Sequence, residues 1–230
     1  MFENEEKYHS TLDYLYSFVD YSLTRNLRYS PEKFNLERMR SFMNSLGNPH
    51  LDYPVVHVAG TKGKGSICAL IANVLKSAKY KVGLYTSPHL HEFIERIKVD
   101  NINIGKDIFI NLVEEIKPII SDCHGVTTFE ITTALAFLFF SRIKVDIAVI
   151  EVGLGGRLDA TNVVQPMVSI ISTISKDHVK ILGNTMIKIA KEKAGIIKKN
   201  VPLVISFQKP RILSIYQKGL SCLTEAPNKL

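Results

Sequence analysis

Gly60-Thr61-Lys62-Gly63-Lys64-Gly65-Ser66 gathers three glycines, two lysines and two hydroxyls into seven residues. Glycines let a backbone curl until successive N–H groups converge, and converging N–H groups bind anions. Lys64 adds a mobile cation that would reach β- and γ-phosphates, and Ser66 would close the loop near a metal. The chemistry implied is the cradling of a nucleoside triphosphate. The spacing is not the standard G-x-x-x-x-G-K-[ST], because Gly65 stands between Lys64 and Ser66. A Gly/Lys-rich surface turn is the alternative, and the flanks argue against it. Val55–Ala59 is a short β-branched apolar run, and Ser66–Ala78 has helical spacing. The loop therefore runs from a buried strand into a helix N-terminus, whose partial positive charge favours phosphate.

Four further groups sit where an open α/β sheet places its chemistry, after the C-terminal ends of strands. Tyr85-Thr86-Ser87-Pro88-His89 offers hydroxyls for Mg²⁺ or phosphate, or is an ordinary turn. Glu151 ends an apolar run and opens the loop Val152-Gly153-Leu154-Gly155-Gly156-Arg157-Leu158-Asp159, so it is either a metal-binding carboxylate or a solvated strand end. His178, after Asp177, reads on spacing alone as a packed or surface residue. Lys191 and Lys193 close a helix, where lysines ordinarily complement the dipole.

The elements that must position these groups follow from hydrophobic period. Tyr8, Leu12, Leu15, Val19 and Leu23 predict an amphipathic helix over 5–27. Ser30-Pro31 opens a second helix, carried by Phe34, Met39, Phe42, Met43 and Leu46 and closed by Gly47 and Pro49. Strands are expected at Val55–Ala59, Val82–Tyr85, Ile147–Val152, Val168–Ile171 and Val201–Ile205, and helices at Ser66–Ala78, Ile108–Ser121, Thr128–Ile143 and Thr185–Ala194. This alternation predicts a mostly parallel, doubly wound sheet with helices on both faces. Ile212–Tyr216 could begin a helix, but Lys218–Leu230 has no clear period. The expected organisation is a helical segment at 1–49 packed on an ATP-binding domain at 50–207, then an irregular tail at 208–230 with no second domain.

At 46% hydrophobic and 22% charged, the 230 residues can bury a core and do not read as disordered. The net charge of +7 favours anionic partners. Its basic residues are dispersed, without aromatic–basic interleaving, so no nucleic-acid partner is expected. Cys68, Cys123 and Cys222 share no metal-ligand spacing and read as buried free thiols. Ala134–Phe140 is far shorter than the roughly 20 residues of a membrane span, and MFENEEKYHS carries no secretory pattern. The expectation is a cytoplasmic protein with no membrane partner.

Together these segments resemble the folylpolyglutamate synthase/dihydrofolate synthase family, within the wider group of Mur-type amide ligases. The resemblance is carried by Leu46-Gly47-Asn48-Pro49, His57–Ser66, Thr86–His89 with Glu95-Arg96-Ile97, and Phe129-Glu130. It continues through Glu151–Asn162, Asp177-His178 with Leu182-Gly183, and Glu192–Ile197, in order from about residue 30 to 207. It implies a P-loop-containing α/β ATP-binding domain, followed in the family by a smaller C-terminal domain that this chain lacks. It also implies joining of L-glutamate to a folate or dihydropteroate carboxylate, through an acyl phosphate made from ATP. Carried onto this sequence, the family's roles put Gly60–Ser66 on the ATP phosphates and Ser87 and Glu151 on one Mg²⁺. His178 would hold a second Mg²⁺, and Lys193 would be a carbamylated lysine. Arg38, Phe129, Glu130, Leu158 and Asp159 would line the pterin-bearing substrate.

The sequence departs from the family at Lys62, where many members have Asn. It also lacks the glycine usual after Glu95-Arg96-Ile97; Asn101 would take the left-handed turn instead. The stretch between Ile104 and Thr127 is short. Two readings remain: a glutamate ligase, alone or with a separate C-terminal partner, and a truncated relative that binds MgATP without ligating. Self-association through surface that a second domain would cover is a further expectation.

Overall fold

The computed structural model describes residues 2–19 and 36–224. The helices are α1 (Phe2–Tyr16), α2 (Leu36–Ser45), α3 (Lys64–Ser77), α4 (Lys106–Asp122), α5 (Thr128–Arg142), α6 (Val179–Leu182), α7 (Met186–Ala194) and α8 (Pro210–Thr224). The strands are β1 (Val55–Ala59), β2 (Val82–Tyr85), β3 (Ile97–Val99), β4 (Ile102–Asn103), β5 (Ile147–Glu151), β6 (Val168–Ile171) and β7 (Leu203–Ile205). They form one seven-stranded sheet in the order β4-β3-β2-β5-β1-β6-β7. The run from β2 to β7 is parallel, and β3 and β4 add an antiparallel edge. The mixed, mostly parallel α/β class is the one expected.

Strand alternation divides the core. Val56, Val58, Val82, Leu84, Ile147 and Val149 point to one face, which α3 covers through Cys68 and Ala72. Val55, Tyr85, Ala148 and Ile150 point to the other, joining the large cluster beneath α1, α2, α4 and α5. On that same face, Ala59 and Ile171 meet α7 and α8 in a third cluster with Ile189, Ile196, Ile212 and Tyr216. The nearly all-apolar α5 is buried from Ile131 to Phe140. Its start is fixed by a capping box in which Thr127 and Glu130 satisfy each other's backbone N–H groups.

Several boundaries differ from expectation. The first helix ends at Tyr16, short of residue 27, and Leu23 lies outside the described residues. So do Ser30, Pro31 and Phe34, expected to open the second helix. The β3–β4 hairpin was not foreseen. It turns on Asp100 (φ 50°) and Asn101 (φ 66°), so Asn101 adopts the left-handed conformation expected of it. The tail expected to be irregular is instead a helix over Pro210–Thr224, held because Ile212 and Tyr216 bury against the β6–α7 cluster. Cys68 is buried, as expected, whereas Cys123 is only partly so.

Candidate functional site

The loop at 60–66 leaves the end of β1, a strand buried at every position. Gly60 has φ 147°, and a Cβ there would overlap the Ser172 hydroxyl, so no other residue fits without displacing β6's exit. That exit fastens the loop. The Thr61 N–H donates to the Thr173 carbonyl at 2.9 Å, and the Ser172 hydroxyl donates to the Lys62 carbonyl at 2.8 Å. The Thr61 hydroxyl exchanges hydrogen bonds with the Ser175 backbone, each 3.2 Å long. Gly63 (φ 80°) then turns the chain into α3, whose N-terminus has no side-chain cap. The first N–H groups of a 14-residue helix are thereby left for an anion.

Glu151 ends β5, directly beside Val58 of β1. Its side chain is only 5% exposed, and its Oε1 lies 3.8 Å from Lys64 Nζ. Its Oε2 accepts the Ser87 N–H at 3.1 Å. Burial raises the Glu151 pKa, while Lys64 and the Ser87 N–H oppose the rise. Gly65, the residue that breaks the standard loop spacing, lies beside the acid: a Cβ at that position would stand in ordinary contact with Glu151 Oε2, at 3.4 Å.

The loop after Glu151 is wedged between two helices. A Cβ on Gly153 would stand 2.5 Å from the Phe129 ring of α5, and one on Gly156 would stand 2.8 Å from the Glu192 carbonyl of α7. Arg157 grips Glu192 with two 3.0 Å hydrogen bonds, and its N–H donates to the Glu192 carbonyl at 2.8 Å. Asn162 Nδ2 then bridges the carbonyls of Arg157 and Gly195, both at 3.0 Å.

This packing aims Lys193 inward. The side chain is buried, and Nζ donates to the Gly60 carbonyl at 2.6 Å. A dipole-complementing surface lysine would do neither. Burial, with Lys64 second, lowers its pKa to about 8, against the pull of Asp177 and Asp159. A solvated lysine keeps its proton to about pH 10.4. Folding thus costs the protonated amine most below pH 8, and stability contributed at this position rises with pH between the two values. Acylation of Lys193 by a small anhydride, followed by mass spectrometry, is expected to be half-maximal near pH 8; a midpoint above pH 10 would show a solvated amine.

The residues expected around a substrate are partly committed to each other. Arg38 Nε donates to both oxygens of Glu130, at 3.0 and 3.1 Å, in a buried pair. Glu130 also accepts from the Thr127 N–H and hydroxyl, both at 2.8 Å. Phe129 faces Tyr85 with ring centroids 6.2 Å apart. Leu158 is half-buried, whereas Asp159 is almost fully buried, accepting the Leu154 N–H at 2.7 Å and the Thr161 N–H at 3.0 Å. Direct contact of Glu130 or Asp159 with a substrate is narrowed accordingly, since each carboxylate already serves internal donors. His178 takes φ 44° at the start of α6. Its ring is half exposed, 3.8 Å from Asp177 Oδ2. Among the described residues, no three His, Cys, Asp or Glu side chains converge as a metal cluster. The structure thus brings Lys64, Glu151 and Ser87 together, with Lys193 behind the loop.

Sequence reasoning passed over Ser172 and Thr173, whose hydroxyls bind only backbone and carry no motif of their own. The Thr127-x-x-Glu130 capping box was legible as a pattern.

Comparison with known proteins places this geometry. The chain is 42% identical over 208 residues to the dihydrofolate synthase/folylpolyglutamate synthase of Bacillus subtilis, covering 86% of this chain and 48% of that protein. It superposes on the crystal structure of folylpolyglutamate synthase from Thermotoga maritima with TM-score 0.84 and 39% identity, covering 96% of this chain and 49% of that one. A folylpolyglutamate synthase complex with AMPPCP and folate superposes with TM-score 0.84 and 37% identity, covering 95% and 53%. The chain thus spans about half the length of the curated relatives it matches. Residues 58–219, from the last turn of β1 into α8, match the Mur ligase middle domain, and the chain belongs to that family.

Proposed function

We propose that this domain holds ATP on Gly60–Ser66 and activates a folate or dihydropteroate carboxylate for coupling to L-glutamate. The observation that carries the reading is the meeting of Lys64 and Glu151, 3.8 Å apart, between an uncapped helix N-terminus and the acid loop. A phosphate-binding cation and a buried carboxylate side by side suit phosphoryl transfer, which depends on positioning and charge neutralisation. The relatives named for this activity support the choice of substrates.

The carboxylate oxygen of the acceptor attacks the γ-phosphorus, and ADP leaves. The glutamate amine then attacks the acyl carbon, and the tetrahedral intermediate expels phosphate as the amine loses its proton. Lys64 orients the transferring phosphoryl group, and the loop N–H groups and α3 hold the remaining oxygens. Lys193 fixes the Gly60 carbonyl and so holds the start of the loop in place. The wall formed by Phe129, Leu158 and the Arg38–Glu130 pair shapes the acceptor's seat, with Asp159 supporting it from behind.

The donor set fits Mg²⁺. The Glu151 carboxylate and the neighbouring Ser87 hydroxyl are hard oxygen ligands, and Mg²⁺ ordinarily completes its shell with phosphate and water rather than a dedicated protein cage. When bound there, it would neutralise charge on the β- and γ-phosphates. His178 is the candidate for a second ion. The lowered pKa of Lys193 leaves a neutral amine fraction near physiological pH, the form that takes up CO₂ as a carbamate. We assign the protein to the cytoplasm, with no nucleic-acid or membrane partner. A separate C-terminal domain or a second copy could complete the assembly.

The test is ADP release from MgATP with acceptor and glutamate, each omitted in turn, beside a direct measurement of ATP binding. Release that needs both co-substrates supports ligation by this domain. Binding without release supports a nucleotide-binding domain that needs a further part to ligate, and absence of both would sink the reading.

A further inference from the structure

His57 is a single polar residue in an otherwise apolar strand, fully buried between Val56 and Val58. Its Nε2 lies 2.9 Å from the Thr161 hydroxyl. That hydroxyl also makes a short hydrogen bond to Asp159 Oδ1. A hydroxyl has one proton to give. Burial raises the Asp159 pKa, but the Leu154 and Thr161 N–H groups donate to its two oxygens and favour the ionised form, which can only accept. The Thr161 proton therefore goes to Asp159, and the Thr161 oxygen accepts from His57. This fixes the imidazole as the Nε2–H tautomer, with Nδ1 bare. Nδ1 is indeed buried without a partner. Burial and the nearby Lys198 keep the ring neutral, lowering its pKa to about 3.

A buried ring nitrogen without a partner costs stability, and a valine or isoleucine would suit this strand better. The imidazole's gain lies at its other nitrogen. Asp159 Oδ2 holds the Leu154 N–H at 2.7 Å, and the Asp159 N–H donates to the Gly156 carbonyl at 3.2 Å. The loop from 154 to 159 is thereby curled into a closed ring, footed on Thr161. Three residues beyond His57 begins the phosphate loop, so one strand supports both halves of the site.

We propose that His57 and Thr161 are positioning residues for the glycine-rich acid loop: the imidazole N–H orients the Thr161 hydroxyl onto Asp159, which sets the loop against the phosphate loop. This rests on the ligase reading for its activity arm only. Neither residue touches a reacting atom.

The test pairs Thr161→Val, which keeps shape and removes the hydroxyl, with Thr161→Ser, which keeps the hydroxyl. ¹⁵N NMR of the imidazole is expected to show one Nε2–H tautomer in the wild type and Thr161→Ser, and loss of that preference in Thr161→Val. ADP release per folded molecule should fall on the order of 10²-fold in Thr161→Val and stay within about threefold in Thr161→Ser, with ATP affinity little changed in both. A wild-type ring protonated on Nδ1, or equal losses in the two variants, would overturn the proposal. If the wild type releases no ADP, this domain does not ligate alone, and hydrogen exchange at the Leu154 amide decides the proposal. Exchange at least about tenfold faster in Thr161→Val alone upholds it, and unchanged exchange rejects it.

Discussion

Lys64→Ala is expected to lower ATP-dependent turnover by on the order of 10³-fold, the loss typical when a preorganised charge facing a transition state is removed. Two effects combine. On the proposed reading the phosphates lose their cation, and Glu151 loses the positive charge 3.8 Å away. Burial already raises the Glu151 pKa, and Lys64 heads the influences that lower it. Without Lys64 that carboxylate will hold its proton to higher pH, so any metal it binds will bind with a steeper, upward-shifted pH dependence. Glu151→Gln separates the two effects, because it spares the lysine and the loop. Turnover and ATP affinity measured across pH for both variants provide the check. A Lys64→Ala protein within tenfold of wild type would show that the cation is not the phosphate ligand.

The second large effect is on stability. Gly195 has ordinary right-handed helical dihedrals, φ −62° and ψ −11°, where alanine would normally be welcome. Space forbids it. A Cβ there would overlap Cα and Cβ of Arg157 and lie 2.8 Å from the Arg157 nitrogen. Backbone cannot swing aside as a side chain does, so the α7 end and the acid loop must part. Gly195→Ala should cost about 3 kcal/mol or more. At about 2–4 °C per kcal/mol for a chain of this size, the melting temperature falls by about 6–12 °C. Gly105→Ala is the comparison: its φ is −63°, and the new Cβ would meet only Ile108 at 3.9 Å. Thermal melts should separate the two variants, and similar melting temperatures would refute the clash.

What could be read from the sequence depended on how locally each feature is encoded. β1, β2 and β6 were placed residue for residue, since each is a short, mostly apolar run bounded by loop residues. The β3–β4 hairpin escaped because strands of three and two residues hold too little pattern to show a period. α8 was only half seen: Ile212 and Tyr216 gave its first turns, whereas Leu220 and Leu223, which continue their spacing, were passed over. At the site, the phosphate loop was legible because strand, glycines, lysine and helix are contiguous. Lys193 was not, because the carbonyl it meets lies 133 residues away in the chain, and the same lysine would suit a plain helix end. The resemblance to ligases singled it out, and the structure supplied its direction. His57 and Thr161 lay within stretches that carry the resemblance, but their meeting, 104 residues apart in the chain, left no local sign.

The core's division into three clusters bears on how the site comes apart. The phosphate loop leaves β1 between them, and is tied to the β6 exit by Ser172 and Thr173 and to α7 by Lys193. It is therefore a seam, and any loosening of α7 and α8 from the sheet would disturb it. A ligand that binds only the closed loop works against that loosening. Occupancy should then slow amide exchange in α7 and α8, helices that need not touch the ligand.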